Sequence, residues 1–101
     1  MVTIKKIDDG IYEAELQNSV LIIDKHSGYQ LKKEIGQIVA TQREITIDLK
    51  KVDAMDKNGF KMLEQLFDLA TKKNCKLHLL NFGSALSSKI NSLNKTKEEV
   101  L

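Results

Sequence analysis

Two runs of alternating apolar residues flank one run of helical spacing in the middle of this chain, and that ordering constrains the fold more than any other feature. Ile45, Ile47 and Leu49 alternate with Thr46 and Asp48, the two-residue period of a strand with one buried face, over 45–50. Phe60, Leu63, Phe67 and Ala70, broadened by Met62, Leu66 and Leu69, form the wide apolar surface of a helix over about 58–73 that packs on a sheet. Lys72 and Lys73 sit at the negative end of that helix, where cations are favourable. "KLHLLN" at 76–81 reads as a second strand. Short joins in a strand–helix–strand unit imply neighbouring parallel strands and a right-handed crossover.

The flanking segments extend the pattern. Residues 2–8 and 11–16 are β-prone runs separated by Asp9-Gly10, a two-residue hairpin signal because both turn positions favour positive φ. Tyr12, Ala14 and Leu16 share one face of the second run, with Glu13 and Glu15 on the other. "VLII" at 20–23 is a continuous apolar run, the pattern of a strand buried on both faces. Leu31, Ile35, Ile38 and Val39 then recur at helical spacing, with Ser27 and Gln30 placed as a capping box. Gly36 falls inside this helix, where it permits close packing on the sheet. "GSALSSKINSL" at 83–93 reads as a last helix capped by Ser84. A hairpin followed by three strand–helix units predicts a single α/β domain over 1–93. Its sheet is mixed but mostly parallel, helices pack on it, and a polar tail follows at 94–101.

Composition narrows the function classes. At 101 residues the chain has the size of one domain. A net charge of +2, with basic residues scattered among acids, argues against nucleic acid. The single cysteine, Cys75, excludes an internal disulfide and a cysteine metal cluster. No apolar run approaches the length of a membrane span, and the N-terminus lacks a signal pattern. The expectation is a cytoplasmic protein without direct membrane insertion.

In a parallel sheet the strand-to-helix loops gather at the carboxyl edge, where sites form. Three loops are expected there: Asp24–Ser27, Lys50–Gly59 and Asn81–Ser84. Asp56 or Asn58 can cap the helix that follows, and Gly59 permits a close backbone approach. His26 is expected in a loop and His78 in a strand, far apart and beside no nucleophile–base set. Asp24, Asp48, Asp53 and Asp56 lack the acidic pair and late lysine of a response-regulator magnesium site. Catalysis, metal binding and a cofactor are therefore not expected.

The stretch "ITIDLKKVDAMDKNGFKMLEQLFDLATKKNCKLHLLNF" resembles the core of a STAS domain, the fold of bacterial anti-sigma factor antagonists. Ile47-Asp48-Leu49 matches the family's strand end and Val52 its apolar loop residue. Asp56-Lys57-Asn58-Gly59-Phe60 matches the Asp-Ser-Ser-Gly-Leu helix opening, and Leu77-His78-Leu79-Leu80-Asn81 the next strand. Family members that are switched carry, after the motif aspartate, the serine or threonine that a cognate kinase phosphorylates. Lys57 stands at that position here, and the final helix lacks the family's Leu-Thr-Gly-Leu-like ending.

The resemblance implies a non-enzymatic interaction module of bacterial transcription regulation. Its protein partner would be a kinase-like anti-sigma factor. That partner would dock on loop 50–59 and the exposed side of helix 58–73, through Asp56, Lys57, Asn58, Gly59 and Lys61, with no phosphorylation at the motif position. Two rivals stand beside it: a STAS-type accessory subunit of a larger assembly, such as a lipid-transport ABC system, and a small-ligand or nucleotide-binding domain.

Overall fold

A computed structural model describes residues 2–16, 22–84 and 86–91. Val20 and Leu21 of the first apolar run, the end of the last expected helix and the polar tail at 94–101 lie outside the described residues. The elements, in chain order, are β1 (Val2–Asp8), β2 (Ile11–Leu16), β3 (Ile22–Ile23), α1 (Lys25–Gly36), β4 (Glu44–Asp48), β5 (Ala54–Met55), α2 (Lys57–Lys72) and β6 (Lys76–Leu80). Residues 84 and 86–91 are also helical.

The main sheet has four strands in the order β1-β2-β4-β6. β1 and β2 form the expected antiparallel hairpin. β2, β4 and β6 run parallel, with Ile45 opposite both Tyr12 and Leu77 and Ile47 opposite both Ala14 and Leu79. The α2 crossover thus joins neighbouring parallel strands, as the apolar periods require. Tyr12, Ala14 and Leu16 of β2, Ile45 and Ile47 of β4, and Leu77 and Leu79 of β6 share one face. On it pack Leu31 and Ile35 of α1 and Leu63, Leu66, Phe67 and Ala70 of α2. The opposite face carries Glu13, Glu15, Glu44, Thr46 and His78, none of them buried.

Several local expectations are corrected. In the hairpin turn only Gly10 has positive φ, at 75°, and the β1/β2 register shifts between Lys6 and Asp8. Such a shift increases the local twist of the strands, which a turn with two left-handed residues would otherwise match. The described part of the apolar run at 20–23 does not enter the main sheet: Ile22 and Ile23 pair in parallel with Ala54 and Met55 in a separate two-stranded sheet. Nor is that strand buried on both faces, since Ile22 is 54% exposed while Ile23 is fully buried. A two-residue strand inside the expected loop 50–59 has no period to reveal it.

The α1 capping box is built three residues earlier than its sequence signature suggests. Asp24 is the N-cap and Ser27 occupies the third helical position, each side chain bonded to the other's backbone N–H. His26 accordingly lies in the first turn of α1, not in a loop. The helix stops at Gly36, so Ile38 and Val39 follow it, with Val39 reaching the core from the turn. Gly36 faces Leu69 of α2, and so serves helix–helix contact and not contact with the sheet. Ser84 is already helical and does not stand before the helix as its cap. α2 ends where Asn74 takes a left-handed φ of 59° and the Cys75 N–H returns to the Ala70 carbonyl at 2.9 Å, as such helix ends require.

Candidate functional site

The carboxyl end of β4 begins the site. Asp48 alternates with the apolar residues of its strand, which suggests a solvated side chain, yet it is only 9% exposed. A buried carboxylate needs partners. Its Oδ1 accepts from the Lys50 N–H at 2.9 Å and from the Asn81 side-chain amide at 3.3 Å, while Oδ2 faces Lys50 Nζ at 3.7 Å. Asn81 can turn back because it adopts a left-handed φ of 61° just after β6. The Leu49 N–H also reaches the Leu80 carbonyl at 2.9 Å. Lys50 and Lys51 both meet Glu15, at 3.7 and 3.1 Å. The start of loop 50–59 is thereby fastened to β2 and β6.

The end of the same loop is fastened elsewhere. β5 lies beside β3, and the Asp56 N–H donates to the Ile23 carbonyl at 3.0 Å. Asp56 caps α2, accepting the Gly59 N–H at 2.8 Å. A cap at this position satisfies a donor that the helix leaves open. Gly59 is buried against Ile23, so closely that any Cβ would overlap the Ile23 carbonyl. Gly28 of α1 faces Gly59 and Met62 in turn. These two glycines let α1 and α2 start side by side.

Four of the five residues expected to meet a partner, Asp56, Lys57, Asn58 and Lys61, are exposed around the first turn of α2. Gly59 is buried beneath them and acts through the backbone it permits. Lys57 is the first helical residue and makes no ion pair among the described residues. Of the three expected loops, Lys50–Gly59 meets Asn81 through Asp48 and meets the start of α1 through Ile23. Asp24–Ser27 leaves the two-stranded sheet, not the main one.

The groups with chemical potential elsewhere do not converge on this loop. His78 Nε2 lies 3.0 Å from Glu44 Oε1 on the open face of the sheet. Cys75 is buried, and burial, with Glu44 nearby as a second cause, pushes its thiol pKa up, so the unreactive protonated form is favoured. Among the described residues no group of three or more His, Cys, Asp or Glu side chains is placed to hold a metal ion, and no helix is long and apolar enough to cross a membrane. Asp48 and Asn81 were legible as residues of the strand ends. Their pairing follows from strand register, which places Asn81 one residue beyond the Leu80 that sits opposite Asp48.

Solved structures share this architecture. The chain superposes on the anti-sigma factor antagonist SpoIIAA in its unphosphorylated form with a TM-score of 0.71 at 12% identity, over 99% of this chain and 97% of that one. For the phosphorylated SpoIIAA of Bacillus the TM-score is 0.67 at 12% identity, over 100% of both chains. Parts of larger proteins match too. SLC26A9 gives a TM-score of 0.68 at 18% identity, over 93% of this chain and 17% of that one. A crystal structure of Mglu gives 0.70 at 12%, over 83% of this chain and 20% of that one. This chain therefore spans a fifth or less of those two proteins but nearly all of SpoIIAA, and at such identities the likeness is one of fold. No curated protein matches the sequence. The family model for the STAS domain matches residues 5–99, nearly the whole length over which hairpin, parallel strands and paired helices have been traced, and the chain belongs to the STAS domain family.

Proposed function

We propose that this STAS domain is a non-enzymatic docking module whose partner surface is the first turn of α2 with the loop 50–59 before it. Asp56, Lys57, Asn58 and Lys61 form the contact, and Gly59 sets the backbone under them. The observation that carries this reading is Lys57, exposed at the head of α2. A phosphoserine there would bring about −1.5 to −2 charges to the helix start. Lysine accepts no phosphate from a serine kinase and has the opposite sign, so the surface stays in one state. The neighbouring carboxylate, Asp56, is committed to the Gly59 N–H, which supports docking over catalysis.

The partner that best suits this reading is a kinase-like anti-sigma factor, in keeping with the SpoIIAA likeness, and the setting is transcription regulation in a bacterial cytoplasm. The partial coverage of SLC26A9 supports a second reading, in which the domain is one part of a larger assembly; an accessory subunit of a lipid-transport ABC system would be one such role. Capture of the partner from native lysate and its identification by mass spectrometry separates the two. Calorimetry then tests the surface. Lys57→Glu is expected to weaken binding about five- to tenfold through charge reversal, and Lys57→Ser to preserve it. Equal affinities for wild type and both variants would move the docking site elsewhere. Saturable binding of a nucleotide or lipid would favour the small-ligand reading instead.

A further inference from the structure

The peptide group joining Met55 to Asp56 is held from both sides. A trans peptide points its carbonyl and its N–H in opposite directions. Here the N–H donates to the Ile23 carbonyl at 3.0 Å, and the Met55 carbonyl accepts from Lys89 Nζ at 2.6 Å. Lys89 reaches this carbonyl from 34 residues away along the chain. It does so because Leu86 and Ile90, both buried, seat the helical residues 86–91 on the core. Three and four residues apart, positions 86, 89 and 90 share one helix face, so Lys89 stands at the margin of the seated face with its ammonium turned toward β5. The contact is charge-assisted and short.

This grip acts on the residue that aims the docking surface. The Met55–Asp56 peptide sets the direction in which Asp56 enters α2. Asp56 in turn holds the Gly59 N–H, and Lys57 and Asn58 lie between these two anchors. Ile23 alone leaves the peptide held on one side, free to tilt about that bond. We infer that Lys89 is a positioning residue of the docking loop, through which the last helical segment sets the presentation of Lys57 and Asn58. The inference deepens the docking reading above and rests on it for its functional meaning, but the hold on the loop can be tested in the isolated protein.

The test uses the full chain and three variants. Lys89→Met keeps the aliphatic stem and removes the donor, Lys89→Arg keeps a donor, and Lys57→Glu reports on the docking surface. Amide hydrogen exchange is followed residue by residue by NMR, and affinity for the captured partner by calorimetry. Lys89→Met is expected to speed exchange at Asp56 by about three- to tenfold, the loss of one hydrogen bond to a charged group at an exposed side chain. Lys57 and Asn58 should shift in their resonances while β2, β4 and β6 keep their protection. Partner affinity should fall several-fold, and Lys89→Arg should recover most of both effects. Unchanged exchange and resonances over 54–58 in Lys89→Met would overturn the inference. So would a uniform loss of protection across the sheet, since that marks a general structural role. If the loop loosens yet affinity holds, and Lys57→Glu also leaves affinity unchanged, the docking reading fails and the hold of Lys89 on the loop stands.

Discussion

The two strand-to-helix junctions of this domain are near copies of one another, and they are held together by different means. β3 and β5 pair in register, Ile23 opposite Met55. Each is followed by an aspartate that caps a helix, Asp24 for α1 and Asp56 for α2, and each cap by a lysine as first helical residue. They diverge at the third helical position, which is Ser27 in α1 and Gly59 in α2. Ser27 closes its junction with local bonds: its hydroxyl receives the Asp24 N–H at 2.9 Å, contacts the Asp24 carboxylate and donates to the Ile22 carbonyl at 3.1 Å. Gly59 has no side chain to return, because the Ile23 carbonyl occupies that space. The α2 junction is closed instead by distant groups, Ile23 and Lys89. One helix start is thus self-contained and the other is assembled by the fold. The assembled one carries the proposed docking surface, which fits a surface whose shape must follow the state of the whole domain.

The largest break in this comparison is expected from adding one methyl group to the assembled junction. Gly59→Ala puts a Cβ into the Ile23 carbonyl, and backbone cannot yield as a side chain tip can. Overpacking of this kind costs about 3 kcal/mol, read as a lowered urea midpoint with an unchanged slope. Loss near zero would mean that β3 and α2 separate easily and that the two junctions are independent.

A middle-sized effect should separate local from distant closure. Asp56→Ala removes a cap and is expected to cost about 1 kcal/mol. Ser27→Ala removes the hydroxyl bonds of the other junction at a similar cost of about 1 kcal/mol. The costs match, but their reach should differ. Exchange in Ser27→Ala should quicken only in the first turn of α1, whereas in Asp56→Ala it should quicken at Asp56 and around Ile23 as well. Identical exchange maps would erase the distinction.

The smallest effect is in acid. The Ser27 backbone N–H first, and its hydroxyl second, hold the Asp24 carboxyl below its ordinary value. A folded pKa below the unfolded one gives stability that is present above the ordinary carboxylate value near 3.8 and lost as pH falls through the lower, folded value. Asp24→Asn keeps an acceptor but does not titrate, so thermal unfolding should show a shallower decline of Tm with acidification than wild type. Parallel acid profiles would mean that the local box does not discriminate the charged carboxylate.

The main sheet and its principal helix were legible in the sequence because strands of five or more residues and a helix of four turns repeat a pattern that burial imposes. Ile45 and Ile47, Leu77 and Leu79, and the stripe from Leu63 to Ala70 all face the core as their periods require. Asp56 as a cap was legible for a related reason, since a cap bonds to a residue three positions away. What escaped depends on groups far apart in the chain. The strands β3 and β5 are two residues each and too short to carry a period, and only their pairing across the fold defines them. Asp24 outranks Ser27 as cap because β3 ends at Ile23 and delivers Asp24 to the helix start. Gly59 is required by a carbonyl 36 positions earlier, and Asp48 is buried by the register that brings Asn81 beside it. Local sequence settles which segments bury an apolar face, because burial acts residue by residue along a period. The junctions were decided only by tertiary structure, because the carbonyl of Ile23 and the ammonium of Lys89 meet the same peptide group only after the sheet and helices have packed.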